Sequence, residues 1–221
     1  MEDMEKRIRE MFQREKDKKL ENYRQLNRYA VKGGTLFTGS SLMELFPVCE
    51  YCMDAGIKGP VYNRGIGGYV TDEFLKALDV MLLDLEPSRV FINIGTNDIS
   101  AQPGGEPWQV HLEKNYRAIL SVLKEKLPEA TVYMMAYYPV NPDTPGGKQN
   151  PGLVVRTNAA LEEANRMVEC LAREFGYHYI DVNDGLKDEQ GRLLAEHTQD
   201  GMHFDAEAYR SVFERLLPYL A

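Results

Sequence analysis

Short apolar runs alternate with helical stretches along most of this chain, and that alternation constrains its fold more than any other feature. Five runs predict strands, at Thr35–Thr38, Pro60–Tyr62, Arg89–Ile94, Thr131–Tyr138 and Tyr177–Val182. The stretches between and after them predict helices, over Thr71–Leu85, Pro107–Leu127, Arg156–Phe175 and Asp205–Tyr219. Buried strands separated by helices of this length are typical of βαβ crossovers in a parallel sheet. We therefore expect an α/β fold, a three-layer α/β/α sandwich with a flavodoxin-like five-stranded parallel sheet in the order 2-1-3-4-5.

The beginning of the chain differs from the rest in its charge pattern. Residues 1–33 carry many charges of both signs, with apolar residues interspersed at loosely helical spacing, and Gly33 and Gly34 provide a helix stop. We expect an amphipathic helical extension over 1–33, followed by one domain over 34–221. The absence of a heptad repeat favours a helix that covers the core over one that meets a second subunit, and the homo-oligomer stays as the alternative.

Composition excludes several classes of partner. No run approaches the ~20 apolar residues that cross a bilayer, and the first residues lack the features of a secretory signal, so we expect a cytoplasmic protein. A net charge of -8 argues against nucleic acid as a partner. The three cysteines predict reduced thiols. Cys49 and Cys52 form a CxxC pair without a second pair of ligands, so we expect no metal and favour buried or half-buried thiols on a helix.

Four polar or glycine-rich segments follow predicted strands or precede the last helix. They are GSS at 39–41, NRGIGG at 63–68, GTND at 95–98 and DGMH at 200–203. Because ligands of open parallel sheets bind beyond the carboxyl ends of the strands, we expect these segments to meet at one rim. Together they contain the groups that acyl transfer requires, namely a hydroxyl nucleophile, a base, a group that orients the base, and donors for an oxyanion.

The roles follow from residue type and position. Ser41 begins a short predicted helix and is the candidate nucleophile, and His203 is the candidate base. Asp200 precedes His203 by three residues, a spacing that brings two side chains together on one helical turn, so it can orient the imidazole. The backbone N–H groups of Ser41 and Gly68 and the side-chain amide of Asn97 are the candidate oxyanion donors. Each feature alone is more often a turn or capping residue, so the hypothesis depends on their agreement in position.

Other polar residues offer alternatives. His111, His178 and His197 are alternative bases, although His111 falls in a predicted helix and His178 in a predicted strand, where structural roles are usual. His197 is the stronger competitor because it lies near Asp200 in sequence. We expect Asp98 to fasten its loop through backbone hydrogen bonds.

Two loops rich in proline and glycine, at 101–108 and 140–152, are expected to border the pocket. Trp108 either lines a substrate site or packs the start of its helix. Neither loop offers an extended apolar surface, which favours a short acyl group. Met43 occupies the second glycine position of a GxSxG motif around Ser41, which argues against the α/β-hydrolase elbow.

The four segments, read as GSSL, NRGIGG, GTND and DGMH, resemble in order and spacing the four sequence blocks of the SGNH (GDSL-type) hydrolase family. The resemblance covers roughly residues 34–219. It implies a three-layer α/β/α esterase without a metal or organic cofactor. It also implies Ser41 as nucleophile, Gly68 and Asn97 as oxyanion donors, and His203 with Asp200 as the base pair.

Two residues depart from the family pattern. Ser40 stands where the family often has Asp, and Ala208 where many members have Gly. Since neither position is catalytic, we expect a serine esterase that hydrolyses short-chain acyl esters through an acyl-enzyme. The expected substrate is a small-molecule or carbohydrate ester, such as an O-acetyl group or a small lysophospholipid-type ester. An O-acyltransferase with the same site and a non-catalytic binding module are the alternatives.

Overall fold

The computed structural model describes residues 2–102 and 105–220, without the side chains of residues 2 and 5. Four residues lie outside the described ones, namely Met1, Pro103, Gly104 and Ala221. Met1 belongs to the predicted extension 1–33, Pro103 and Gly104 to the predicted loop 101–108, and Ala221 to the predicted domain 34–221. The described chain contains one sheet of five parallel strands, β1 (Thr35–Gly39), β2 (Val61–Gly65), β3 (Arg89–Asn93), β4 (Thr131–Met135) and β5 (His178–Ile180). Their order is β2-β1-β3-β4-β5, which confirms the predicted topology.

Nine α-helices are present in the part of the chain that the structure describes. They are α1 (Glu2–Asn27), α2 (Ser41–Glu44), α3 (Val48–Asp54), α4 (Thr71–Lys76), α5 (Leu78–Met81), α6 (Thr96–Ala101), α7 (Trp108–Lys126), α8 (Asn158–Phe175) and α9 (Ala206–Leu220). Short 3-10 helices lie at Leu83–Leu85, Gly147–Gln149, Pro151–Val154 and Ala195–His197. None of these described helices has the length and apolar character needed to cross a bilayer.

Strand residues alternate between two hydrophobic cores, one on each face of the sheet. Leu36 of β1 and Val90 of β3 face the core that α1, α4, α5, α7 and α8 cover. Phe37, Phe91 and Tyr133 face the core that α2, α3 and α9 cover. These three aromatic rings stack across β1, β3 and β4, with centroids 4.5 Å apart for the first pair and 4.8 Å apart for the second. The two covered faces confirm the three-layer architecture.

The helix predicted over Thr71–Leu85 is interrupted, and contacts from distant residues explain why. The side-chain amide of Asn27 donates to the carbonyl of Val80 at 2.8 Å, and the hydroxyl of Thr38 donates to the carbonyl of Met81 at 3.0 Å. A continuing helix would use these two carbonyls as acceptors. Helix α5 therefore ends at Met81 and is followed by the 3-10 turn at Leu83–Leu85, and a further break at Ala77 separates α4 from α5.

Other boundaries shift by smaller amounts. Helix α1 ends at Asn27 rather than near Gly33, and β4 ends at Met135 rather than Tyr138. Helix α3 contains Cys49 and Cys52, which were expected on a helix, whereas α6 was not predicted. Cys52 on α3 is buried, as expected, whereas Cys49 is exposed. Burial raises the pKa of the Cys52 thiol to about 11, which disfavours the reactive thiolate.

Candidate active site

The structure joins three of the predicted site residues in one hydrogen-bonded chain. The Ser41 hydroxyl lies 2.9 Å from Nε2 of His203, and Nδ1 of His203 lies 2.6 Å from Oδ2 of Asp200. Ser41 is separated from His203 by 162 positions in sequence. A hydroxyl, an imidazole and a carboxylate in this order can transfer a proton away from the hydroxyl and stabilise the resulting imidazolium.

Local backbone geometry presents Ser41 at the carboxyl end of β1. Gly39 ends that strand with φ of 152°, and a Cβ built there would lie 2.0 Å from the carbonyl oxygen of Asn93, so only glycine fits. The N–H of Ser40 donates to the same oxygen at 3.2 Å, and α2 begins at the next residue. Among the described residues the N–H of Ser41 has no hydrogen-bond partner. This amide is therefore free to bind an oxyanion.

Asp200 is held by the turn that also holds His203. Its Oδ1 accepts the backbone N–H of Met202 at 3.0 Å and that of His203 at 2.8 Å, which leaves Oδ2 for the imidazole. Partial burial opposes ionisation of the carboxyl, but these hydrogen bonds outweigh that penalty and hold the pKa of Asp200 below its usual value. The residue that orients the imidazole is thus a carboxylate at neutral pH.

The side-chain amide of Asn97 has a defined orientation. Its Oδ1 accepts a hydrogen bond from the Arg156 guanidinium at 2.6 Å, and its Nδ2 donates to the carbonyl of Tyr69 at 2.9 Å. A guanidinium can only donate, so the oxygen of Asn97 must face Arg156. Nδ2 carries two hydrogens, and the second stays available for a substrate oxygen.

Sequence reasoning did not single out Arg156, which fell at the start of a predicted helix with no motif around it. Its side chain is buried and also donates to Ser100 Oγ at 3.0 Å and to Met202 Sδ at 3.0 Å. Burial lowers the pKa of Arg156 to about 10, while the charges of Asp98 and Asp200 act in the opposite direction. The guanidinium is therefore charged at neutral pH and links the GTND and DGMH segments.

The glycine-rich segment after β2 lies directly beside Ser41. A Cβ built on Gly67 would lie 3.6 Å from the Cβ of Ser41, and the N–H of Gly67 donates to Oε2 of Glu44 at 2.5 Å. Gly68 is exposed and has φ of 74°, a conformation that favours glycine. Its N–H has no hydrogen-bond partner within the described part of the chain. Glu44 was not predicted as part of the site.

The three other histidines do not contact the Ser41 hydroxyl. His197, the strongest alternative base, has its Nδ1 3.4 Å from a carboxylate oxygen of Asp205. His178 stacks on the ring of Tyr133 in the sheet. His111 is buried between Asp72 and Glu106, at 2.7 and 3.0 Å. The geometry thus favours His203 as the partner of Ser41.

Two further predicted residues lie in the interior. Asp98 is fully buried, and its carboxylate accepts the backbone N–H of Thr71 at 3.1 Å and the hydroxyl of Thr71 at 2.5 Å, which ties the GTND segment to the start of α4. Burial raises the pKa of Asp98, although the hydrogen bonds from Thr71 oppose that rise. Trp108 is only 8 % exposed and packs in the core at the start of α7. Its contact with a substrate stays a prediction.

A cavity of about 420 Å³ opens beside the His203 imidazole. Its size lies within the usual range for small-molecule sites. The lining contains three carboxylates and one aromatic ring, and its members are Glu196, Thr198, Gln199, Asp200, His203, Phe204 and Asp205.

A parallel sheet of this order, with a Ser–His–Asp chain at its carboxyl edge, is the arrangement expected of a serine hydrolase of the three-layer α/β/α class. Comparison with known proteins specifies the family. The chain belongs to the GDSL-like lipase/acylhydrolase family, whose family model matches residues 47–211. The match includes the second, third and fourth segments and begins after Ser41. This membership confirms the predicted family and enzyme class, a hydrolase that acts on ester bonds, and implies a small-molecule ester as substrate.

Individual relatives agree with that assignment. Human platelet-activating factor acetylhydrolase IB subunit alpha1 is 27% identical over 187 residues, which are 82% of this chain and 72% of the human protein. A Streptococcus pneumoniae structure named for platelet activating factor is 27% identical, covers 100% of both chains and has a TM-score of 0.89. An acetylxylan esterase structure from Geobacillus stearothermophilus is 16% identical, with a TM-score of 0.66 over 87% of this chain and 95% of that one. The last likeness concerns the fold alone.

Proposed function

We propose that this protein is a serine esterase that hydrolyses short-chain acyl esters, acetyl esters above all, through an acyl-enzyme intermediate. The observation that carries the proposal is the 2.9 Å contact between the Ser41 hydroxyl and Nε2 of His203, which the 2.6 Å contact to Asp200 continues. The relay joins a nucleophile, a base and a carboxylate in the order that acyl transfer needs.

In the acylation half-reaction, Ser41 Oγ forms a bond to the acyl carbon while its proton moves to Nε2 of His203. Asp200 stabilises the imidazolium that results. The tetrahedral intermediate then loses its alcohol, which takes the proton from Nε2, and the acyl group stays on Ser41. In the second half-reaction, water attacks the acyl carbon and gives a proton to His203. The carboxylic acid leaves, and the Ser41 oxygen recovers its proton from Nε2.

Negative charge on the carbonyl oxygen in both intermediates needs donors that are already in place. The N–H groups of Ser41 and Gly68 are unpaired among the described residues, and Nδ2 of Asn97 has one hydrogen to spare. We assign these three groups to the oxyanion hole. Donors held before the reaction cost no reorganisation as the charge develops.

Two observations support an acetyl ester. The human relative is named as an acetylhydrolase, and the cavity beside His203 has a volume of about 420 Å³, which suits a small substrate. Three carboxylates in its lining, those of Glu196, Asp200 and Asp205, disfavour an anionic alcohol moiety there. We therefore expect a neutral or cationic alcohol, with a carbohydrate hydroxyl among the neutral ones.

Kinetics on p-nitrophenyl esters of increasing acyl length test the proposal, together with labelling of Ser41 by a fluorophosphonate. We expect acetate to be the best substrate, Ser41→Ala to be inactive and unlabelled, and His203→Gln to lose activity by a large factor. His197→Gln is the matched control and should stay within about twofold of the wild-type kcat, since His197 faces Asp205 instead.

Three results would contradict the proposal. Wild-type rates in Ser41→Ala would remove Ser41 from the mechanism. Turnover that needs an added sugar acceptor would identify an acyltransferase, and a folded protein that neither turns over nor labels would identify a binding module.

A further inference from the structure

One face of α1, from Lys16 to Asn27, contacts the end of β2 and the loop that follows it. The side chains involved are spaced three or four residues apart, so they lie on the same side of the helix. Arg64 donates to the side-chain oxygen of Asn27, and the Tyr23 hydroxyl donates to the carbonyl of Gly65, both at 2.9 Å. Lys19 pairs with Glu44, which accepts the N–H of Gly67. Lys16 donates to the carbonyl of Gly68 at 2.9 Å. The N-terminal helix therefore covers the loop that carries the candidate oxyanion amide.

Lys16 makes the contact that lies nearest to that amide. Its ammonium donates to Gly68 O and to both carboxylate oxygens of Glu73, each at 2.9 Å, and lies 5.5 Å from the centre of the Tyr69 ring. The Lys16 side chain is 18% exposed, and a Cβ built on Gly68 would lie 3.1 Å from its Cε. The lysine is thus packed against the loop as well as hydrogen-bonded to it.

The loop needs such a restraint because glycine leaves its backbone soft. Gly68 has φ of 74° and follows another glycine, so its peptide groups can rotate at little cost. Three contacts prevent this in the structure, since Glu44 holds the N–H of Gly67, Lys16 holds the carbonyl of Gly68, and Asn97 holds the carbonyl of Tyr69. The Gly68 N–H lies between the first two of these anchors.

We propose that Lys16 is a positioning residue of the oxyanion hole, which it serves from the N-terminal helix by fixing the peptide group between Gly68 and Tyr69 and thereby the direction of the adjacent Gly68 N–H. The proposal rests on the esterase function proposed above. In this proposal α1 contributes to catalysis as well as covering the core.

The ion pair with Glu73 indicates that Lys16 acts on the loop and not on the substrate directly. Its carboxylate neutralises the Lys16 charge, and its Oε2 also accepts the N–H of Val70 at 3.0 Å, so the lysine is tied to the start of α4. A paired and largely covered ammonium adds little to the binding of a neutral ester. Loss of Lys16 should therefore lower kcat and leave KM almost unchanged, because the oxyanion donors act mainly in the transition state.

The experiment compares Lys16→Met, Lys16→Arg and Lys18→Met in the full chain, with p-nitrophenyl acetate as substrate and well below the melting temperature of each variant. Lys16→Met keeps the aliphatic stem but removes the donor, and we expect kcat to fall about 10-fold with KM within about twofold. Lys16→Arg restores a donor and should recover most of the loss. Lys18→Met removes an exposed pair with Glu15 on the same helix and should behave as wild type.

A second readout is the rate constant for phosphonylation of Ser41 by a fluorophosphonate, whose phosphoryl oxygen uses the same donors. It should fall in Lys16→Met by about the same factor as kcat. A kcat and a labelling rate within twofold of wild type would overturn the proposal, and so would equal losses in Lys16→Met and Lys18→Met. Wild-type protein that neither hydrolyses the ester nor labels would overturn the esterase function itself, and the positioning role with it.

Discussion

Replacement of Asp200 by asparagine separates the charge of this residue from its structural role. In the wild type, Oδ1 accepts the N–H groups of Met202 and His203, and Oδ2 faces Nδ1 of His203 at 2.6 Å. Asparagine keeps an oxygen at the first position and so preserves the turn. Its NH₂ group takes the second position and donates to Nδ1. The imidazole proton must then sit on Nε2, which faces the Ser41 hydroxyl at 2.9 Å and can no longer accept a proton.

The size of the effect follows from this change of tautomer. A wrong imidazole tautomer in an otherwise intact triad lowers kcat by about 10⁴. This factor corresponds to about 5 kcal/mol of transition-state stabilisation. Asp200→Ala is the comparison variant, because it also removes the acceptor of two backbone N–H groups. It should lose a further 1–2 kcal/mol, roughly, of unfolding free energy, which Asp200→Asn retains.

The assay is kcat on p-nitrophenyl acetate for both variants, together with urea unfolding of each. We expect Asp200→Asn to unfold like the wild type and to have a kcat reduced by at least about 10³. A folded Asp200→Asn protein with more than a tenth of wild-type kcat would refute the reasoning. An Asp200→Asn variant as unstable as Asp200→Ala would show that the turn depends on the charge.

Four further predictions concern the oxyanion donor, the arginine that orients it, the strand end and a buried histidine. Asn97→Ala should lower kcat by about 10² to 10³. Arg156→Met should lower kcat in the wild type but not in Asn97→Ala, and multiplicative losses in the double mutant would contradict its action through Asn97. Gly39→Ala should lower the unfolding free energy by about 3 kcal/mol, because its Cβ would lie 2.0 Å from Asn93 O, and a loss below 1 kcal/mol, roughly, in urea unfolding would refute this. Burial of His111 disfavours the charged imidazolium, but hydrogen bonds to two carboxylates outweigh that penalty and raise the pKa of His111. The charged histidine therefore stabilises the fold fully below its ordinary pKa near 6.5, and this stabilisation is lost as pH rises through the raised pKa. His111→Gln should flatten the melting temperature over that range, and an unchanged pH profile would contradict the assignment.

Much of the fold was predictable because its signals are local. The alternation of β-branched and aromatic runs with helical stretches identified all five strands and the parallel sheet, since such runs are buried on both faces. Parallel strands end at one edge, so the polar segments after β1, β2 and β3 had to lie near one another. The candidate nucleophile, base and carboxylate were found from that placement and from the family resemblance.

The missed boundaries have a different origin. The helix predicted over Thr71–Leu85 breaks where Asn27 and Thr38 bind its carbonyls, and these partners lie 53 and 43 positions away in the chain. No window of sequence around Val80 or Met81 contains them. Local propensity is a weak preference that tertiary contacts of this kind override.

The sequence by itself determined which chemical groups reach the rim of the sheet. Only the tertiary structure decided how they are held there. Arg156 orients the Asn97 amide from 59 positions away, and Lys16 holds the Gly68 carbonyl from 52 positions away. Neither residue belongs to a motif, because any side chain of suitable length and charge at the right point in space would serve. A hydrogen bond tolerates only a few tenths of an ångström of change in its donor–acceptor distance. Distances between remote segments are set to that precision by the packing of the whole domain.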